Sequence, residues 1–106
     1  YRASTKKVER LSVPSEPIGV EKTSVYVDNE TDVKSGDIVI TFTDGIVESI
    51  NAGGNQYTTQ RLTSIIEQNS NLSGKEIAGI VKEDIKKFIG SARQHDDQTL
   101  LVIKII

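Results

Sequence analysis

The chain has 106 residues, with 13 Lys+Arg against 15 Asp+Glu, a net charge of −2, and no Cys. This length allows one small domain with a modest core, and the charge balance lacks the basic excess that nucleic acid or an anionic membrane surface would require. Without thiols there can be no disulfide, thiolate zinc site or cysteine nucleophile, and no apolar run approaches the roughly 20 residues of a membrane-spanning helix or shows a signal-peptide pattern.

The first element in chain order is an expected edge strand around Val8–Leu11, broken by Pro14 and Pro17, with Ser15–Gly19 as a loop. Val25 and Val27 alternate with Tyr26, so residues 24–28 read as a half-exposed strand. Lys34-Ser35-Gly36-Asp37 is a turn into the run Ile38–Thr43, which is β-branched and apolar enough to be a strand buried on both faces. The run stops at Asp44-Gly45. Asp-Gly between apolar stretches signals a hairpin turn, yet a buried strand that ends in a carboxylate also delivers that carboxylate to the rim of a sheet. Both readings stand on local sequence alone. Ile46–Ile50 fits one helical turn or a short strand, and Asn51–Asn55 is a loop.

Two helices follow. The first spans about Thr59–Gln68 with Thr58 as N-cap, Tyr57 and Leu62 as a hydrophobic staple, and Leu62, Ile65 and Ile66 as its buried stripe. The second opens on the capping box Ser73–Glu76, has Leu72 and Ile77 as a staple, and closes at Gly90. Ile77, Ile80, Val81, Ile85, Phe88 and Ile89 recur along it at helical spacing. Thr99–Ile106 is a second, nearly uninterrupted apolar strand. The expected fold class is α+β, an antiparallel sheet with two helices packed on one face. The far face of that sheet then needs a cover, either a second sheet or another part of the polypeptide.

Asp44 follows one central strand, and His95, Asp96 and Asp97 precede the other. If the strands are antiparallel neighbours, Asp44 and Asp96 or Asp97 meet at one edge. Clustered carboxylates repel unless a cation or proton compensates, and oxygen-only ligands suit hard ions such as Mg²⁺ or Mn²⁺. The competing readings are an exposed acidic turn for Asp96-Asp97 and a plain loop residue for His95, the one histidine. Glu48 lies one helical turn beyond Asp44, able to reach the same rim through water if that segment is helical and otherwise a solvated charge. No Ser-His-Asp pattern is visible, and Gly53-Gly54 lacks the strand–turn–helix context of a phosphate loop.

Gly36-Asp37, the following strand and Thr43-Asp44-Gly45-Ile46-Val47-Glu48-Ser49 resemble the "GD…TDGvtE" block of metal-dependent (PPM-type) protein serine/threonine phosphatases. They are most similar to the bacterial branch that includes the sporulation phosphatase SpoIIE and the stress-response sigma-factor regulators. Pro17-Ile18-Gly19-Val20 resembles the branch's "PLG(V/I)", Arg61-Leu62 its "erL", and Asp96–Val102 its "DDxTLLV" terminus. The resemblance implies an αββα sandwich holding two Mn²⁺ or Mg²⁺ ions whose bound water is the nucleophile. Asp44 and Asp96 match metal ligands, Asp97 is a lower-ranked one, Gly45 is metal-adjacent, and Glu48 matches a contact to metal-bound water. No side chain is implied as a direct catalyst. The substrate implied is phosphoserine or phosphothreonine on a cytoplasmic regulatory protein of the anti-anti-sigma-factor kind.

Three departures qualify this. The family's other Asp-Gly, which bridges both metals, and its Ala-Gly-His segment do not occur in the chain, so residues 1–106 correspond to a C-terminal portion of the domain, and such a piece is expected to be inactive alone. A start at Tyr1 without Met fits a segment of a longer protein. Tyr57-Thr58 also stands where the family has an aromatic-Gly pair. The alternative function is a non-catalytic regulatory or dimerisation module that self-associates through an exposed sheet face. A small hairpin-rich domain, with Asp44 far from Asp96, is a third reading.

Overall fold

A computed structural model describes all residues, 1–106. The elements in order are β1 (Ile38–Phe42), α1 (Asp44–Val47), α2 (Thr59–Gln68), α3 (Gly74–Ile89) and β2 (Leu100–Lys104). β1 and β2 form a two-stranded antiparallel sheet in which Ile38 opposes Lys104, Ile40 opposes Val102 and Phe42 opposes Leu100. The chain is therefore mixed α+β. Asp44-Gly45 opens a helical turn and is not a hairpin, because β1 pairs with the end of the chain and not with the segment that follows it.

Both long helices form where their periodicity and caps place them. The Thr58 hydroxyl accepts from the Arg61 N–H, and at α3 both halves of the Ser73–Glu76 capping box are made. Their apolar stripes meet β1 in one core of Ile38, Ile46, Tyr57, Leu62, Ile66, Ile77, Val81 and Ile85. Ile40, Leu100 and Val102 pack against it from the sheet. α3 lies close enough to β2 that a Cβ at Gly74 would stand 2.9 Å from the Val102 carbonyl oxygen. On the same side, the Lys104 ammonium donates to the carbonyls of Ser70 and Leu72, both at 2.7 Å, after the end of α2.

Four expectations are corrected. Val8–Leu11 is not a strand: Arg2 and Lys7 pair across a tight turn, and the Val8 N–H goes to the Glu67 carboxylate of α2 at 3.0 Å. With its donor taken by a side chain, that segment has no ladder to join. Residues 24–28 are also irregular, with Val25 and Val27 exposed. Alternation supplies two faces, but a strand also needs a neighbour to satisfy its backbone, and no ladder bond forms here; the segment is tied instead by its side chains, the Ser24 hydroxyl to Glu16 and the Tyr26 hydroxyl to the Pro17 carbonyl. Nor is β1 buried on both faces. Leu101 and Ile103, on the β2 residues that alternate with Leu100 and Val102, are 51% and 44% exposed. The strand expected over Thr99–Ile106 is likewise shorter, Leu100–Lys104.

Residues 9–35 are exposed throughout except Ser24. The radius of gyration of the whole chain is 15.8 Å, against about 13 Å for a compact chain of this length. Arg2 holds this segment near the sheet: its guanidinium reaches Glu9, Thr31 at 2.6 Å, the Asp32 carbonyl, and Asp37 at 3.6 Å. Asp37 is buried and accepts N–H bonds from Ala3 and Lys34, so the Gly36-Asp37 turn is a structural staple.

Candidate functional site

β1 and β2 stay paired one residue beyond their named ends. The Thr43 N–H donates to the Thr99 carbonyl at 3.1 Å, and the Thr99 N–H donates to the Thr43 hydroxyl at 3.0 Å. Thr43 occupies the N-cap position of α1, yet its hydroxyl goes to this cross-strand bond and not to a cap. The chain then turns into α1 at Asp44, while the partner strand arrives from Asp96-Asp97.

Gly45 is where the two meet. It is buried, and a Cβ built on it would lie 2.0 Å from the Asp97 carbonyl oxygen and 3.5 Å from the Asp96 Cβ. No side chain fits there, so the glycine serves close backbone approach. Behind it, the buried Ser49 hydroxyl donates to the Gly45 carbonyl at 2.8 Å and accepts from the Gln98 side-chain amide at 2.9 Å. Asp96 is shaped locally, its carboxylate accepting the Asp97 N–H at 2.8 Å and its carbonyl accepting from the Gln94 amide at 2.8 Å.

The backbone thus brings the Asp44-Gly45 turn and the Asp96-Asp97 turn together at one rim of the sheet, and the hairpin-rich reading, with those motifs far apart, does not describe this chain. Asp44, Asp96 and Asp97 are all exposed. Glu48 is exposed at the C-cap of α1, and His95 is exposed in the loop before β2. The donor set is not sufficient for an ion: no group of three or more His, Cys, Asp or Glu side chains is placed to hold a metal, whereas a hard divalent cation takes six or more oxygens and needs several from protein or substrate. Reasoning from sequence missed Thr43, Ser49 and Gln98 as the residues that hold the rim. Their only signal is the hydroxyl or amide residue recurring beside each acidic motif.

A second cluster ties α2 to α3. Arg61 donates to both carboxylate oxygens of Asp84, at 2.8 and 2.9 Å, and the Tyr57 hydroxyl donates to the same carboxylate at 2.7 Å. The guanidinium also lies over the Tyr57 and Phe88 rings, 5.3 and 4.9 Å from their centroids. The Arg61 hydrogen bonds hold the Asp84 carboxyl below its ordinary range, with Tyr57 adding to the shift, and burial followed by the Asp84 contact pushes the Tyr57 phenol up. Between these residues Thr58 has φ 74° and ψ 150°, a region almost reserved for glycine. It is the position where the phosphatase motif carries Gly, and the chain keeps the glycine-like backbone with a threonine.

An α+β chain whose paired strands bring two acidic motifs to one rim is the class these features define. Residues 1–106 match the Stage II sporulation protein E (SpoIIE) family, and the chain belongs to that family. Among solved structures it is similar to the phosphatase domain of the cell fate determinant SpoIIE from Bacillus subtilis (Mn presoaked), with 24% identity and a TM-score of 0.54 over 94% of this chain and 43% of that one. At that identity the likeness is one of fold, and the chain spans less than half of the domain it matches. No curated protein matches the chain. No helix is long and apolar enough to cross a membrane.

Proposed function

We propose that the chain is the C-terminal portion of a PPM-type protein serine/threonine phosphatase domain with the αββα layering of that group. In this reading Asp44 and Asp96 are ligands of a shared Mn²⁺ or Mg²⁺ centre, with Asp97 beside them and Glu48 within reach of bound water. The remaining ligands come from outside residues 1–106. The observation that carries the reading is the seat of Asp97 on Gly45, which joins the two acidic motifs at one rim. Family membership supports it. The substrate proposed is a phosphorylated cytoplasmic regulatory protein of the anti-anti-sigma-factor kind, in sigma-factor or stress signalling.

The chain alone is expected to bind Mn²⁺ at millimolar concentration at best and to hydrolyse nothing. Calorimetry that shows tight binding of two ions by residues 1–106 would contradict the shared-centre reading. In the intact parent, hydrolysis of a generic phosphate ester should require added Mn²⁺ and be lost in D44N.

One observation favours a second reading, a non-catalytic regulatory or dimerisation module. Leu101 and Ile103 leave an apolar stripe of the sheet exposed, and such a face suits self-association. A parent that lacks an Asp-Gly after an upstream strand, and shows no Mn²⁺-dependent hydrolysis, would leave this reading in place of the first.

A further inference from the structure

The backbone strain at Thr58 lies directly behind the rim. α1, which opens on Asp44, is four residues long, too short to hold itself as a helix, and the Thr43 hydroxyl at its N-cap position is engaged by the Thr99 N–H and gives it no cap. Its end is held from outside. The Thr58 N–H donates to the Val47 carbonyl at 2.9 Å, and the Tyr57 N–H donates to the Ser49 carbonyl at 2.8 Å. In an extended strand successive N–H groups point to opposite sides. Here two neighbours both reach the end of α1, as at a bulge, where a positive φ supplies the extra turn, and that φ of 74° falls on Thr58.

Both donors sit on a fixed base. Tyr57 is buried, with its hydroxyl on Asp84 and its ring edge-on to Phe88 at a centroid distance of 5.4 Å. The connection from Ser49 to Tyr57 has little slack: Ile50 and Gln56 form a bridge, and the Asn51 side-chain carbonyl accepts the N–H groups of Gly53 and Asn55, each at 3.0 Å. At the start of α1, Gly45 is seated against Asp97. The single helical turn is thus gripped at one end by the Asp96-Asp97 turn and at the other by Tyr57-Thr58. We propose that Thr58 is a positioning residue for the rim: its strained backbone turns the N–H onto Val47 and so sets the orientation of Asp44 and Glu48 against Asp96. Strain of this kind persists only where its surroundings over-determine it, and it gathers where groups must be placed for function. The inference rests on the shared-centre reading for the purpose of the rim, whereas the hydrogen bonds alone carry the positioning.

The test compares Thr58→Gly, which keeps the N–H and the positive φ, with Thr58→Pro, which has no N–H and cannot reach that φ, by amide NMR on residues 1–106. The Asp44, Gly45 and Glu48 amides should shift in Thr58→Pro and stay in place in Thr58→Gly, while the Ile77 and Val81 amides of α3 report an intact fold. Rim amides unmoved in a folded Thr58→Pro chain, or moved equally in both variants, would overturn the proposal. Should Thr58→Pro not fold, hydrogen exchange in the unsubstituted chain decides. The Thr58 amide should then open together with the Glu48 amide, and a Glu48 amide that exchanges while Thr58 stays protected would overturn the proposal. Added Mn²⁺ separates the positioning from the metal reading. Broadening at Asp44-Gly45 should need about tenfold more Mn²⁺ in Thr58→Pro than in Thr58→Gly, the loss typical of a support behind a metal ligand. Shifts that move as stated in a chain that no Mn²⁺ broadens would support the positioning and refute the shared centre.

Discussion

The α2–α3 clasp and the β1–β2 rim are both built on carboxylates, and they are finished to different degrees. At the clasp, Asp84 is matched by Arg61 and by Tyr57, a residue 1% exposed. At the rim, the Asp44, Asp96 and Asp97 side chains face water, and the precision lies in the backbone beneath them, where Gly45 admits the Asp97 carbonyl and Thr43, Ser49 and Gln98 hold the two turns. Exposed carboxylates contribute little to stability. The clasp therefore serves the fold of this chain, whereas the rim leaves its carboxylates to solvent above an ordered backbone. Substitutions at the two places should separate these roles.

The largest effect is expected in the core that the two regions share. Ile66→Ala empties a fully buried site between α2 and its neighbours and should cost about 3 kcal/mol, measured by urea denaturation. Gly45→Ala comes next. The added methyl meets the Asp97 carbonyl oxygen, and the strain should amount to roughly 2 kcal/mol, with chemical-shift changes concentrated at residues 43–49 and 96–99. A G45A variant with unchanged stability and shifts would show that the two turns are not seated on one another.

Asp84→Ala should cost about 2 kcal/mol, mostly because it leaves the buried Tyr57 hydroxyl unpartnered. The half-exposed Arg61 partner adds less. The clasp also shapes acid stability. Asp84 is held low chiefly by Arg61, Asp37 by the N–H groups of Ala3 and Lys34, and Glu76 by Ser73. A carboxyl depressed in the folded state contributes stability that is complete above its ordinary value, 3.8 for Asp and 4.5 for Glu, and is lost as pH falls through the depressed one. Stability should hold down to about pH 5 and then fall. The fall should be shallower in Asp84→Asn than in the unsubstituted chain.

The smallest effect expected is at Thr58. Glycine there relieves a backbone conformation that costs about 1 kcal/mol or more and forfeits only a few tenths from the cap. Thr58→Gly should therefore raise stability slightly, by up to about 1 kcal/mol, seen as a higher denaturation midpoint at constant m-value.

Much of this contrast was legible in the sequence, and unevenly so. The helices could be read because their information is local: the capping box Ser73–Glu76 and the stripe from Ile77 to Ile89 lie within a few turns. The meeting of the two acidic motifs was legible because antiparallel pairing places the end of one strand beside the start of the next. The strands expected at 8–11 and 24–28 failed because alternation does not show whether a backbone partner exists. The clasp was unread because Tyr57 and Asp84 are separated by 27 positions and no local pattern marks them as partners. Thr58 was hidden for the opposite reason: a β-branched residue argues against the very backbone it adopts.

The most direct test of the account is a Mn²⁺ titration of residues 1–106 observed by NMR line broadening. Amides of Asp44-Gly45 and of Asp96-Asp97 should broaden together at millimolar Mn²⁺, and Asp44→Asn should weaken the effect at both turns. Broadening confined to one of the two turns, or centred elsewhere on the chain, would contradict it.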